Sequence, residues 1–116
     1  MGVTYISGEV KGPKGKKTVK FLIDSGATYS LLPLKVWKQI GLKPKRSLEF
    51  TLVDGTVIRR KVSECYIKLA KGEGHTPVIL GEDSDEALLG VVTLEILGLI
   101  FDPFKRTLHP MRMLLI

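Results

Sequence analysis

Cysteine is almost missing from this chain of 116 residues: Cys65 stands alone, so no internal disulfide can form and a zinc site built on thiolates is excluded. Histidine is nearly as scarce. His75 and His109 have no cysteine or acidic ligand set beside them, so neither a metal nor a cofactor is expected. No apolar run approaches a membrane span, because Glu95, Asp102 and glycines break the longest stretches. The opening Met1-Gly2-Val3-Thr4-Tyr5 lacks a basic region followed by an apolar one, so no secretory signal is visible and a soluble, cytoplasmic protein is expected. Aromatic residues are few, and none is interleaved with the basic runs Lys11-Gly12-Pro13-Lys14-Gly15-Lys16-Lys17 and Arg59-Arg60-Lys61. The formal charge of +6 therefore reads as solvated surface, and a nucleic-acid partner is disfavoured.

What is present suits one globular domain over residues 1–116, since 44% of residues are hydrophobic and 26% charged, with no repeat and no dividing linker. Val3 to Val10 and Thr18 to Ile23 read as strands that pair across the basic loop. Pro33 opens a short helix with Leu34, Trp37 and Ile40 on one face and Gly41 as its stop. Ser47 to Val53 and Thr56 to Val62 form a hairpin at Asp54-Gly55, a strong short-range turn signal. Glu64 to Ala70 and Thr76 to Leu80 pair next, turning at residues 71–74. An acidic loop at 82–86 precedes Ala87-Leu88-Leu89-Gly90, and Val91 to Leu97 has room for two helical turns before Gly98. Leu99 to Phe101 and Thr107 to His109 flank a turn, and the apolar tail from Met111 to Ile116 reads as a last strand. The class is mostly β with two short helices.

One stretch is out of keeping with simple packing: Phe21-Leu22-Ile23-Asp24-Ser25-Gly26-Ala27-Thr28. Asp-Ser-Gly makes ordinary turns, because Asp bonds back to its own backbone and Gly tolerates positive φ. Here apolar segments flank the turn on both sides, which places Asp24 near a core, where a carboxylate is rarely put without a task.

Asp24-Ser25-Gly26-Ala27 after an apolar strand, a glycine-tipped hairpin at Asp54-Gly55, and Leu88-Leu89-Gly90 before a helix occur in the order that marks retropepsin-like aspartic proteases. The chain resembles that family over roughly residues 3 to 110. The resemblance implies a closed, barrel-like β domain with a flap hairpin. It also implies an aspartic endopeptidase that works as a homodimer on peptide or unfolded-protein substrates. Asp24 would be the catalytic carboxylate, with Ser25, Gly26, Ala27 and Thr28 completing its loop. Ser25 would brace the two loops across the dimer axis, and Gly26 would let backbone approach substrate. Val53, Asp54, Gly55, Thr56 and Val57 would form the flap, while Leu88, Leu89 and Gly90 pack beneath the active loops. Two positions depart from the retroviral pattern: Thr28 stands where an acidic residue is common, and Val91 where an Arg is common, so that ionic brace is missing.

Hydrolysing a peptide without metal or covalent intermediate needs one group to take a proton from water and another to give one to the carbonyl oxygen. Two carboxylates sharing a proton do both. The other aspartates are poor second members: Asp54 belongs to a hairpin turn, Asp83 and Asp85 to a solvated loop, and Asp102 to a turn before Pro103. A second carboxylate is therefore expected from Asp24 of another copy. Ser25 and Ser30 lack a base and a strand-turn-helix elbow, which argues against a serine hydrolase. A different class keeps the same pattern: a dimerisation or peptide-binding module with the fold and little or no activity.

Overall fold

The computed structural model describes residues 3–115. Its first two strands, β1 (Tyr5–Gly12) and β2 (Gly15–Ile23), form an antiparallel hairpin in register from Tyr5 opposite Leu22 to Gly12 opposite Gly15. Alternation decides which way each side chain points: Val19, Phe21 and Ile23 are buried, while Thr18 and Lys20 face out. Phe21 is wholly enclosed, and burying a side chain of this kind stabilises a fold by about 1.5–3 kcal/mol. The basic run expected as a loop is instead mostly strand. Pro13-Lys14 alone makes the turn, and Lys11, Lys16 and Lys17 stand on the paired strands.

Beyond Asp24 the chain forms β3 (Ser30–Leu32) and α1 (Leu34–Gln39), whose N-cap is Pro33. Val36 and Ile40, one turn apart, are the buried pair of this helix, with Leu34 and Trp37 half-buried beside them. The Trp37 indole N–H donates to the Gly81 carbonyl at 2.8 Å, pinning the helix to the end of the strand Gly72–Leu80, which pairs with β3. A hairpin follows, β4 (Arg46–Thr51) with β5 (Val57–Leu69). β5 runs unbroken through thirteen residues where two strands were expected, because its two halves pair with different partners: Val57 to Val62 with β4, and Val62 to Leu69 with β6 (Gly72–Leu80).

The turn expected over residues 71–74 is shorter, since Leu69 already pairs with Gly72. Gly72 and Gly74 serve packing instead. A Cβ on Gly72 would lie 2.9 Å from the Leu97 carbonyl oxygen, so the bare backbone lets a helix end approach. That helix is α2 (Val91–Ile96), preceded by the two-residue strand β7 (Leu88–Leu89). β8 (Leu99–Asp102) and β9 (Thr107–Pro110) make a separate two-stranded sheet. The tail after Pro110 is not a strand. The Met111 N–H bonds the Gly98 carbonyl at 2.7 Å, Arg112 to Leu115 are exposed, and Ile116 lies outside the described residues. Among the described residues no strand pairs with this segment.

The strands are ordered β1-β2-β7-β3-β6-β5, and β5 pairs back onto β1, which closes a six-stranded barrel with β4 attached outside it. One buried cluster fills it, from Val10 to Leu108. The fold is thus the mostly β, closed-barrel fold with two short helices and a projecting hairpin that the sequence resemblance implies.

Candidate active site

β7 is inserted between β2 and β3, so the two strands that flank Asp24 are not neighbours. Leu22 and Ile23 pair in parallel with Leu88 and Leu89, while Leu31 pairs antiparallel with Leu88. The chain from Asp24 to Tyr29 must therefore arch over the end of β7 to reach β3. This crossing, and not local turn propensity alone, shapes the loop.

The arch is fastened at several points. The Asp24 N–H donates to the Leu89 carbonyl at 3.0 Å, and the Ala27 N–H closes a turn onto the Asp24 carbonyl at 3.0 Å. The carbonyls of Ala27 and Thr28 accept the Val91 and Val92 N–H groups at 2.9 and 3.0 Å. Those donors belong to the first turn of α2, where helix N–H groups have no partner inside the helix. The arch and the helix thus satisfy each other's backbone. Gly90 sits where they meet, and a Cβ there would come within 2.6 Å of the Tyr29 carbonyl carbon and 2.7 Å of its oxygen. Only a glycine fits.

The Asp24 side chain is half-buried, and its Oδ1 accepts the Gly26 N–H at 3.1 Å. That bond orients the carboxylate while leaving its second oxygen without a protein donor among the described residues. Ser25 and Gly26 are exposed at the crown of the arch, and Ser25 has no side-chain partner among the described residues. Gly26 does not take positive φ, contrary to the usual reason for glycine in such a turn. A Cβ on it would lie 3.4 Å from Asp24 Oδ1, the very atom its N–H holds.

Beneath the arch lies a set of hydroxyls that sequence reading did not assign. Ser30, set aside as a nucleophile, is fully buried, and its Oγ accepts the Gly90 N–H at 3.0 Å. Ser30 Oγ also lies 2.5 Å from Thr93 Oγ1, which lies 2.8 Å from Thr76 Oγ1. The chain joins β3, α2 and β6 under the loop with no unsatisfied buried side-chain atom among the described residues. A hint was present in the sequence: Ser30 and Thr76 each directly precede an apolar run, and Thr93 stands between Val92 and Leu94.

The hairpin at Asp54-Gly55 does form, with a larger loop than the dipeptide suggests. Thr51 pairs with Val57, the Leu52 N–H bonds the Thr56 carbonyl at 2.7 Å, and the Gly55 N–H bonds the Leu52 carbonyl at 2.9 Å. Gly55 alone has positive φ, +88°, so Val53-Asp54-Gly55 is a three-residue loop and not a two-residue one, which would need Asp54 there too. Asp54 Oδ1 accepts the Thr56 N–H at 2.9 Å, and hydrogen bonding from the Thr56 side chain and backbone holds its carboxyl below the usual range. Residues 51–57 are all exposed, so the tip stands clear of the arch. The root is attached to it: the Tyr29 and Phe50 rings meet edge to face at 5.9 Å, and an Arg46 guanidinium N–H donates to the Tyr29 hydroxyl at 3.0 Å.

Of the other aspartates, Asp54, Asp85 and Asp102 each hold a turn of their own, and Asp83 is exposed in the acidic loop. Asp85 Oδ2 accepts the Glu82 N–H at 2.6 Å, and Asp102 Oδ1 accepts those of Phe104 and Lys105 at 2.9 and 3.1 Å. Those backbone bonds, the Lys105 one foremost, lower the Asp102 carboxyl. No group of three His, Cys, Asp or Glu converges among the described residues.

Comparison with known proteins agrees with this arrangement. The fold is similar to that of EIAV protease complexed with the inhibitor HBY-793, at 18% identity and TM-score 0.63, covering 84% of this chain and 89% of that one. It is also similar to simian foamy virus (mac) protease in solution, at 20% identity and TM-score 0.58, covering 78% and 91%. No curated protein sequence matches the chain. A family model described as gag-polyprotein putative aspartyl protease matches residues 10–95, a span that takes in the Asp24 arch, the hairpin and the Gly90 junction. The chain belongs to that family, the retropepsin-like aspartic proteases.

Proposed function

We propose that the protein is an aspartic endopeptidase active as a homodimer, each subunit contributing Asp24 to a shared dyad. The observation that carries this reading is the half-buried Asp24 carboxylate, fastened through one oxygen on an arch braced from below, with no second carboxylate hydrogen-bonded to it among the described residues. Two such arches meeting at a two-fold axis place like charges side by side, which drives their pKa values apart and leaves one proton shared between them. The pair titrates as a unit. The ionised member takes a proton from water as it attacks the scissile carbonyl, and the protonated member gives its own to the carbonyl oxygen. Return of a proton to the amine nitrogen then breaks the C–N bond.

In this mechanism Ser25 links the arches across the axis, Ala27 and Thr28 hold the arch to α2, and Val53 to Val57 close over an extended peptide. Exposed backbone at the hairpin suits main-chain bonding to such a substrate. The exposed apolar tail, with Met113, Leu114 and Leu115 at 68%, 79% and 100%, supports dimer formation because a second copy can cover it. We place residues 1–116 in one domain. We further propose a cytoplasmic setting, in keeping with a single buried thiol; no helix among the described residues is long and apolar enough to cross a membrane.

The test is cleavage of an unfolded protein by wild type and Asp24→Asn from acidic to neutral pH. Cleavage by wild type alone is expected. Equal cleavage by both, or none by wild type at any pH, defeats the endopeptidase reading and leaves a peptide-binding module of the same fold.

A further inference from the structure

The basic hairpin takes no part in the mechanism above, and it borders a broad concavity among the described residues. β2 has nine residues between Gly15 and Ile23, so its start lies roughly 25–30 Å along the strand from Asp24. At that far end a groove of about 1000 Å³ opens between the β1–β2 turn and the segment Gly41 to Lys45 after α1. The Lys14 N–H bonds the Ile40 carbonyl at 3.0 Å and ties the two walls together at one end. Tyr66 and His75 meet edge to face at 5.0 Å among the lining residues.

Two independent features define what the groove accepts. The first is charge. Lys11, Lys14, Lys43, Lys45 and Lys68 line it against three glutamates, and all five are exposed. The glutamates are already engaged: Glu64 with Lys45 at 3.2 Å, Glu73 with the Tyr66 hydroxyl at 2.6 Å, and Glu9 with Lys16 at 3.9 Å. Lys11, Lys14, Lys43 and Lys68 have no carboxylate within ion-pair distance among the described residues.

The second feature is an interrupted strand edge. One edge of β5 pairs with β6 throughout Val62 to Leu69. On its other edge β4 pairs only as far as Val62, and β1 pairs only from Tyr66. Ser63, Glu64 and Cys65 line the groove there, and because the Val62 carbonyl turns to this edge to accept the Lys45 N–H, the alternation along the strand leaves the N–H and C=O of Glu64 as the pair with no partner strand among the described residues. That pair offers one main-chain donor and one acceptor to an extended chain lying in the groove.

We propose that this groove docks an extended acidic segment of a partner polypeptide, its main chain bonded to the Glu64 N–H and C=O on β5 and its carboxylates on the free lysines. The site is remote from Asp24 and acts by binding, so it stands whether or not the arch is catalytic. Peptide is favoured over nucleic acid because the bare strand edge recognises backbone amides, whereas the bordering lysines are not interleaved with a row of stacking aromatics.

The experiment is fluorescence anisotropy of a labelled peptide of about eight residues, rich in Glu and Asp and a common length for a strand, with full-length Asp24→Asn protein. Saturable binding is expected. Lys11→Glu/Lys14→Glu/Lys43→Glu should weaken it about tenfold or more, as expected for reversed charges at a contact, while the charge-matched Lys35→Glu/Lys61→Glu/Lys105→Glu should stay within about twofold. Equal loss in the two triple variants reduces the effect to net charge and overturns the proposal. Tighter, similarly lysine-dependent binding of an oligothymidylate of equal charge replaces it with a nucleic-acid site. A peptide N-methylated at alternate residues should bind far more weakly, and unchanged affinity refutes strand pairing. Peptide-induced amide shifts are read on protein with no lysine changed, so they do not depend on the variants folding: they should concentrate at residues 41–45 and 63–66, and shifts centred elsewhere overturn the placement.

Discussion

Gly90 carries the sharpest steric demand at the site. Placing a methyl 2.6–2.7 Å from the Tyr29 carbonyl group forces backbone to move, and backbone yields less readily than a side-chain tip. Gly90→Ala should therefore destabilise the protein by about 1–3 kcal/mol, measured as a shift of the urea midpoint, with loss of cleavage as the arch is displaced. Ser30→Ala tests the floor below. It strands the buried Gly90 N–H and should cost about 1–3 kcal/mol. Because Thr93 shares the same chain of hydroxyls, Ser30→Ala and Thr93→Val should combine non-additively in a double-mutant cycle, whereas simple additivity would mean the hydroxyls act separately. Cys65 is the contrasting residue. Burial, with the Glu64 charge adding to it, pushes its thiol up to about 12. It should resist a thiol reagent in the native state and react on unfolding.

At the scale of elements, the hairpin joins an exposed tip to an anchored root. Arg46 and Phe50 hold the root against Tyr29 at the end of the arch, and Asp54 caps the tip through Thr56. Asp54→Ala removes the cap at a fully exposed position. It should lower kcat/KM by about several-fold with little change in Tm, if loop closure contributes to the reaction. An unaltered kcat/KM would separate the tip from substrate handling. The hairpin was legible in the sequence from Asp54-Gly55, but its loop size was not, since the pairing of Thr51 with Val57 is chosen by how β4 and β5 pack. The same holds for the glycines at 72 and 74. They look like turn residues in isolation and become strand residues because α2 ends against them.

For the molecule as a whole, the proposed site exists only in the dimer. Specific activity should fall on dilution below the dimer dissociation constant, and excess Asp24→Ala subunits should suppress wild-type activity by forming mixed dimers; activity indifferent to both would assign a complete site to each chain. Acid stability follows from Asp54 and Asp102, whose carboxyls are held below their ordinary values. A group lowered in the folded state contributes stability above its unfolded pKa, about 3.9, and loses it as pH falls through the folded value. Asp102→Asn should therefore flatten the decline of Tm in the acid range below about pH 4, leaving a smaller difference between mildly and strongly acidic solutions.

By itself the sequence determined the mostly β class, the short helices, the hairpin and the Asp24 turn, because these follow from local pattern: alternation, capping and turn residues act over a few positions. Only the tertiary structure decided that β7 lies between β2 and β3, that Ser30 is a buried brace and not an exposed hydroxyl, and that Gly90 is a contact point. It likewise made the basic run, expected as a loop, the wall of a groove shared with residues 41–45. The reason is common to all of these. Each depends on two segments far apart in the chain meeting at van der Waals distance, and no local preference encodes which segments will meet.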